Sequence, residues 1–539
     1  MSLTIKRLPE SILFIILLIG SLVPLWLHPY YLTGDGPCHV YNAKIVFDLW
    51  LDHDYDFYNP YFYLHRILLP NWFSHFWLGL LLQFFSPALA EKILLSAYVI
   101  LLPISVRYAI KQVNPQSQYL ALLSFPFIYN RVFQMGFYNF SFGVVFCFLI
   151  IGYWLRWRKE MTNWRLAVWA LLWLLGYFSH PVGLTYALGG LGLFIIVEGL
   201  ITRAANRQTW REALTHIFDQ LIKMGLACLP VLMLFANFFY YRYVPSSPSN
   251  DSFDQLQREF FELSAMMSVT HQERPWATSI AIFIGLILIY VVVARIRERR
   301  WSLFDGLFLA FALTLLAYFK SPGTLAGAGI LSVRLQFFPY LMILLWLAIP
   351  TVKNYFRYAV MAYAVLVSFV LIGLRLPAYQ RQADAIEEIL SAAPYIEDHK
   401  TVLPLSYSFN GLTPAGEQVT DAIWLFIHVF DYLGAQKTLV IFPNYETSTW
   451  NFPLLYRWQT EGFTQIGNTE REPPIASFLD YPRRTGGKVD YVLTWCIDQV
   501  QKDSLPEVKS VRDQLQQGYE LVFISKNSLV KLYKRQPGK

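Results

Sequence analysis

The sequence predicts a polytopic α-helical membrane protein: about eleven transmembrane helices within residues 1–375, then an extracytoplasmic α/β domain over 376–539. Three observations carry this reading. The 539-residue chain is 55% hydrophobic and only 15% charged, against roughly 25% charged in soluble proteins. Apolar runs close to the ~20 residues needed to cross a bilayer recur from residue 11 to residue 375. Beyond residue 376 those runs stop, and short apolar strands alternate with amphipathic helices.

The first run, "SILFIILLIGSLVPLWLHPY", follows a basic start at Lys6 and Arg7 and lacks a small-residue cleavage site, so it is expected to remain as a helix. Five basic loops then set the topology: "VRYAIK" (106–111), "LRWRKE" (155–160), "ITRAANRQTWR" (201–211), "RIRERR" (295–300) and "KNYFR" (353–357). With the N-terminus cytoplasmic, all five fall inside only if "NWFSHFWLGLLLQFF" (71–85) does not span. That segment is short and interrupted by His75, which fits an interfacial or re-entrant helix. The spans then fall near 10–28, 90–107, 117–131, 139–155, 163–178, 182–200, 219–240, 277–294, 303–319, 335–350 and 357–375. The outer face receives the loop 29–89 and everything after 376.

In the C-terminal part, "QADAIEEILSAA" and "KSVRDQLQQG" read as amphipathic helices. "TVLPLSYS", "TLVIFPNY", "DYVLTWCI", "YELVFIS" and "SLVKLYKR" read as strands. No GxGxxG, Walker A or HExxH pattern is present, so this domain carries no nucleotide or zinc signature. Four cysteines are too few for a disulfide scaffold, and no spacing pairs Cys38 with Cys496. The net charge of +7 resides in short loops between spans, which is a topology signal and argues against a nucleic-acid partner.

Chemistry concentrates just past the first span, in "TGDGPCHVYNA". Asp35 stands where it can cap a helix with Pro37 in its first turn. His39 shares its face four residues on, and Asn42 follows one turn later. Such a helix, lying on the outer surface, would hold Asp35 where lipid-borne substrates meet water; the alternative is a plain cap with a solvated histidine beside it. The rest of the loop adds Asp48, Asp52, His53, Asp54, Asp56 and His65 among aromatic residues. Aromatic faces stack on sugar rings and carboxylates bond their hydroxyls, so Asp52, His53, Asp54, His65 and Tyr138 are the candidate sugar or acceptor contacts. A wet, solvated loop is the competing account. Asp52, Asp54 and Asp56 also offer oxygen ligands to a divalent cation, though at a spacing without an organised loop signature. No other cofactor is expected.

Cations sit on other outer segments: Arg131 in "FIYNRVFQMGFYN", His180 in "FSHPVG", Lys320 in "FKSPG" and Arg334 in "LSVRLQFFPY". Ionisable groups near membrane depth are costly and usually face a cavity. Arg131 and Lys320 can instead snorkel to the interface, and His180 can serve a structural hydrogen bond. Arg334 opens an apolar run, and a guanidinium grips phosphate with two bonds.

This arrangement resembles the GT-C superfamily of integral membrane glycosyltransferases, in particular the branch of protein O-mannosyltransferases and the lipid A aminoarabinose transferase. The matching features are the first span followed at once by Asp35 and a juxtamembrane helix, and a long outer loop ending in a second interfacial helix. Outer-face Arg and His residues and a C-terminal extracytoplasmic domain complete it. The resemblance implies sugar transfer from a polyprenyl-phosphate donor to a glycan, lipid or protein acceptor outside the cytoplasm, in the inner (plasma) membrane. It casts Asp35 as base or acceptor-binding group, with His39 beside it. It casts Arg334, helped by Lys320, His180 or Arg131, as the grip on the departing phosphate. Many members pair Asp with Glu in this loop, whereas Gly36 follows Asp35 here. A lipid-carried sugar needs no Rossmann site, which accords with the missing GxGxxG. Two other classes compete: a transporter of lipid-linked saccharide, which would need polar groups at mid-span, and a non-catalytic or inactive scaffold presenting residues 376–539.

Overall fold

The computed structural model describes residues 9–241, 247–249, 251–299, 301–325, 329–499 and 505–537; Lys6 and Arg7 of the expected basic start, and Arg300 of "RIRERR", lie outside them. The chain forms two compact units. One contains the described residues up to Val23, Ser96–Phe133 and Asn139–Leu374; the other contains Pro24–Leu95, Gln134–Tyr138 and the chain from Arg375 onward. The outer-loop stretch 29–89 therefore belongs with the C-terminal chain in the second unit.

Among the described residues, six helices are long and apolar enough to cross a membrane: Pro87–Val113, Tyr138–Trp157, Pro181–Asn206, Trp210–Tyr241, His271–Glu298 and Asn354–Tyr395. Shorter helices lie over Glu10–Trp26, Asn163–Ser179, Gly306–Phe319 and Leu331–Leu347. The protein is a multi-pass membrane protein, and its lipid-facing surfaces can be read directly. Phe218, Ile222, Leu226, Leu229 and Met233 are exposed along one helix, and Ile282, Leu286, Ile289 and Val293 along another. Spacings of three and four residues place each set on one stripe, and an exposed apolar stripe of that length is stable only against lipid. One expected span differs. Residues Pro115–Phe127 form a 3-10 helix in place of an α-helix over 117–131. Pro126 removes a backbone donor within it, and the Ser124 hydroxyl donates to the Ala121 carbonyl at 2.7 Å; both compete with the α-helical ladder.

In the second unit, the segment 71–85 forms a 10-residue helix, Phe73–Leu82. At 1.5 Å per residue it is roughly 15 Å long, half of what a bilayer core requires. Strands β1 (Phe62–Leu64), β2 (Lys400–Ser406), β3 (Leu439–Ile441), β4 (Leu454–Tyr456), β5 (Tyr491–Trp495), β6 (Tyr519–Ile524) and β7 (Val530–Arg535) follow in chain order. Five of them form one sheet in the order β3-β2-β5-β7-β6. β2 pairs in parallel with β3 (Val402 opposite Ile441) and with β5 (Val402 opposite Tyr491), while β7 is antiparallel to both β5 and β6. The central β5 is buried along its whole length, as its unbroken "YVLTW" requires. β1 pairs antiparallel with β4, Phe62 opposite Tyr456, and so stitches the outer loop to the C-terminal chain. "QADAIEEILSAA" is not a separate helix: it reaches Leu390 as the end of the long helix Asn354–Leu390.

Candidate active site

The helix Gly36–Trp50 forms directly after Asp35 and is buried on nearly every face, so His39 is not a solvated neighbour. Within its unit it packs between the helix Phe73–Leu82 and the helix Asp431–Gln436. An added Cβ on Gly79 would meet the Phe47 ring at 2.1 Å, and one on Gly434 would meet the Tyr41 ring at 2.5 Å. Only glycines allow so close an approach. The Tyr41 hydroxyl then donates to the Leu439 carbonyl at 2.8 Å and accepts from the Ile441 N–H at 3.0 Å, which docks β3 against this helix.

Asp35 holds the N-cap position with proline in the first turn, but its backbone is already helical and its side chain makes no capping bond. One carboxylate oxygen lies 3.8 Å from Nε2 of His428, and the Tyr445 hydroxyl hydrogen-bonds the carboxylate. The backbone is held from the other side. The Gly34 and Asp35 N–H groups donate to the Gln134 and Met135 carbonyls, both at 2.9 Å. Gly136, at φ +87°, approaches so closely that a Cβ there would sit 2.6 Å from the Asp35 nitrogen, so only glycine suits that position. Gly36 has a comparable reason. A Cβ on it would lie 2.1 Å from the Tyr138 hydroxyl and 2.6 Å from Oε1 of Glu91. The space next to Asp35 is taken by the carboxylate of Glu91, which accepts from the hydroxyls of Tyr138 (2.7 Å) and Tyr432 (2.6 Å).

One turn along, His39 is fully enclosed. Its Nε2 is 2.8 Å from the Gly136 carbonyl and its Nδ1 faces Oε1 of Glu446 at close range. His75 approaches the other oxygen of the same carboxylate, Nε2 to Oε2 at 2.8 Å, while its Nδ1 lies 3.2 Å from the Asn71 carbonyl. Asn42 donates to Glu446 Oε2 at 2.7 Å and to Asn444 Oδ1 at 3.1 Å. Among the described residues, His39, His75 and Glu446 are the one group of such side chains whose ligand atoms gather within 4.8 Å of one another. Burial opposes the charge on His39, but the Glu446 carboxylate outweighs it and raises the imidazole's pKa. Burial likewise opposes ionisation of Glu446, and the two histidines reverse that and hold it well below the usual carboxylate range.

The remaining carboxyls are pushed the other way. Burial raises Asp431 well above its ordinary value, and burial together with the charge of Asp35 raises Glu470 to about 8. Burial lowers His428, between them, to about 3. Ser406, His428, Asp431, Thr469 and Glu470 line a cavity of about 20 Å³, enough for one water. Asp35 is 18% exposed where Glu446 is wholly enclosed, so of these two carboxylates it is the one that solvent or a substrate hydroxyl can reach.

In the first unit, Arg334 and His180 stand together, guanidinium to Nε2 at 3.4 Å. His180 caps the helix Pro181–Asn206, its Nδ1 accepting from the Val182 N–H at 3.3 Å. Arg131 is half-buried at the start of the short helix Arg131–Gln134. Lys320 is exposed at the end of Gly306–Phe319. The arginine–histidine pairing was not legible from their separate motifs.

No protein-family model matches the sequence, and no curated protein matches it. Solved structures do. The crystal structure of ArnT from Cupriavidus metallidurans in the apo state aligns with a TM-score of 0.55 over 97% of this chain and 97% of that one. The fold is that of ArnT. Sequence identity over the alignment is 10%, so the likeness concerns the fold alone. The structure of ArnT from the same organism bound to undecaprenyl phosphate aligns over 98% of each chain at 12% identity, with a TM-score of 0.48.

On this ArnT-like scaffold the other expected contacts fare differently. Asp52, His53 and Asp56 are exposed, and Asp54 is engaged by His399 (3.0 Å) and Thr438 (2.9 Å). Asp52, Asp54 and Asp56 are not gathered as ligands; left-handed backbone at Asp52 and Asp54 breaks the local periodicity. His65 is buried, accepting from the Ile67 N–H at 3.0 Å with its ring against Trp450. Sequence reading missed His75, Glu91, His428, Asp431, Glu446 and Glu470 as site residues. A signal existed for one of them: "FPNYET" places polar groups directly after the carboxyl end of a parallel strand, where α/β sheets commonly carry their sites.

Proposed function

We propose that this chain is a glycosyltransferase of the inner (plasma) membrane, moving a sugar from a polyprenyl-phosphate donor to a hydroxyl-bearing acceptor outside the cytoplasm. The observation that carries the reading is Asp35. Its carboxylate is free of capping duty, partly exposed, and held at the mouth of the helix Gly36–Trp50 in a chain with the ArnT fold. Asp35 accepts the proton of the acceptor hydroxyl as that oxygen attacks the sugar's anomeric carbon. The bond from that carbon to the donor phosphate breaks, and the phosphate leaves with the electron pair.

Arg334, positioned against His180, supplies the cation that stabilises the departing phosphate. Tyr138 is assigned to support instead of sugar contact, because its hydroxyl is already shared between Thr33 and Glu91. The N-terminus is assigned to the cytoplasm and the chain after 376 to the outside, following the basic loops. The test is transfer of labelled sugar from a polyprenyl-phosphate donor by purified, reconstituted protein, comparing wild type with Asp35→Asn. Absence of transfer by wild type across prenyl-phosphate donors, with the donor shown not to bind, would remove the proposal.

A further inference from the structure

The His39–His75–Glu446 cluster has a feature that the transfer reaction does not use. Both histidines spend one ring nitrogen on a backbone carbonyl: Nε2 of His39 on Gly136 at 2.8 Å, and Nδ1 of His75 on Asn71 at 3.2 Å. A carbonyl only accepts, and so does a carboxylate, so each ring faces an acceptor on both nitrogens while its neutral form carries a single proton. The other two nitrogens, Nδ1 of His39 and Nε2 of His75, both point at the oxygens of one carboxylate. Acceptor then faces acceptor at two places inside a fully buried site. Nδ1 of His39 and Oε1 of Glu446 have no partner other than each other, a costly arrangement in a dry interior unless positive charge lies there. Something positive must lie between them: either an extra proton on each ring, or a cation.

We propose that His39, His75 and Glu446 form a zinc site that clamps the outer-loop helices to the C-terminal chain. The donor set is two imidazole nitrogens and one carboxylate oxygen, a combination that zinc takes readily and that hard cations such as magnesium do not favour. The ligand atoms lie within 4.8 Å of one another. A tetrahedral zinc with bonds of about 2.0–2.1 Å separates its ligands by roughly 3.3 Å; both histidines stand nearer than that to Glu446, His75 at 2.8 Å, so the side chains need to part slightly to admit the ion. Its surroundings are those of a metal shell. Each ring is oriented by a carbonyl on its far nitrogen, the pattern that fixes the tautomer of ligating histidines. Asn42 steadies the carboxylate at 2.7 Å, and the Phe452 ring packs against both imidazoles, with centroids at 5.9 and 5.7 Å. Three protein ligands leave a fourth position for water. The ligands come from the helix Gly36–Trp50, the helix Phe73–Leu82 and the turn after β3, so one ion ties together three segments distant in sequence. The inference is independent of the transfer activity, since a catalytically inactive chain would hold the same ion.

The experiment uses the full chain purified in detergent without chelators. Metal content is measured by mass spectrometry, and thermal unfolding is followed with a zinc chelator, after zinc is restored, and with magnesium in its place. The expected result is about one zinc per chain, a melting temperature lowered by chelation, and recovery with zinc but not magnesium. His75→Gln should abolish stoichiometric zinc and make unfolding insensitive to the chelator. If that variant does not fold, Asn42→Ala keeps all three ligands and should weaken zinc binding by about 10–100-fold, as loss of an outer-shell partner does. Two results would overturn the proposal. One is wild type that stays zinc-free after loading, with unfolding unmoved by zinc or chelator, which would assign the charge between the rings to protons. The other is zinc bound with unchanged affinity by both variants, which would place the ion elsewhere.

Discussion

Replacing Asp35 by Asn removes the carboxylate's charge and basicity while keeping its shape and one acceptor oxygen for the Tyr445 hydroxyl. Loss of general-base help typically slows turnover by about 10²–10⁴, or roughly 2.7–5.4 kcal/mol on the barrier. The stability cost should be far smaller. Asp35 makes no capping bond, so the ~1 kcal/mol that a lost cap usually costs does not apply. What remains is a negative charge near a helix N-terminus, about 0.3–1 kcal/mol. The same reasoning makes Asp35→Ala a fair second variant, which it would not be for a capping residue. The assay is single-turnover sugar transfer from a labelled polyprenyl-phosphate donor, with variants matched for melting temperature and donor affinity. Asn and Ala should both bind donor and both fail in turnover. Wild-type turnover in Asp35→Asn would refute the assignment and move the search for a base to Glu470 or Asp431.

Arg334→Lys keeps the charge but loses the two-pronged guanidinium, so donor affinity and turnover should both fall; an Arg334→Ala protein with unaltered donor affinity would mean that another cation takes the phosphate. Glu470 is raised to about 8 by burial and by Asp35, so the folded state keeps a proton that the unfolded chain releases near the ordinary carboxylate value. Its contribution to stability is complete below that value and is lost as pH rises towards 8. Chemical denaturation from pH 4 to 9 should therefore show wild type losing stability relative to Glu470→Gln across that window, and parallel curves would contradict the raised value. For topology, all four native cysteines are buried, so background labelling should be low. A cysteine at Gln272 should react with an impermeant reagent on intact cells and one at Arg297 should not; the opposite pattern would invert the assigned orientation.

The sequence by itself determined the membrane class, the positions of most helices, the strands of the C-terminal sheet and the helix start at Asp35. Those features are local. Apolar runs report lipid, alternation reports a pleated face, and a Gly-Asp-Gly-Pro stretch reports a helix start. Periodicity could place His39 one turn from Asp35, because spacing along a helix is fixed by its geometry. It could not find the partner of His39. Glu446 reaches the same cluster from 404 positions beyond Asn42, carried there by the pairing of β3 with β2 and the docking of Tyr41 on β3. Only the tertiary structure decided that Asp35 is not a cap, since the direction of its carboxylate depends on His428 and Tyr445 in the C-terminal chain. Only it decided why Gly36 is glycine, since Glu91 and Tyr138 fill the space a side chain would need. Charge in a buried site is set by whichever groups the fold brings within a few ångströms, and a linear sequence holds no record of those distances.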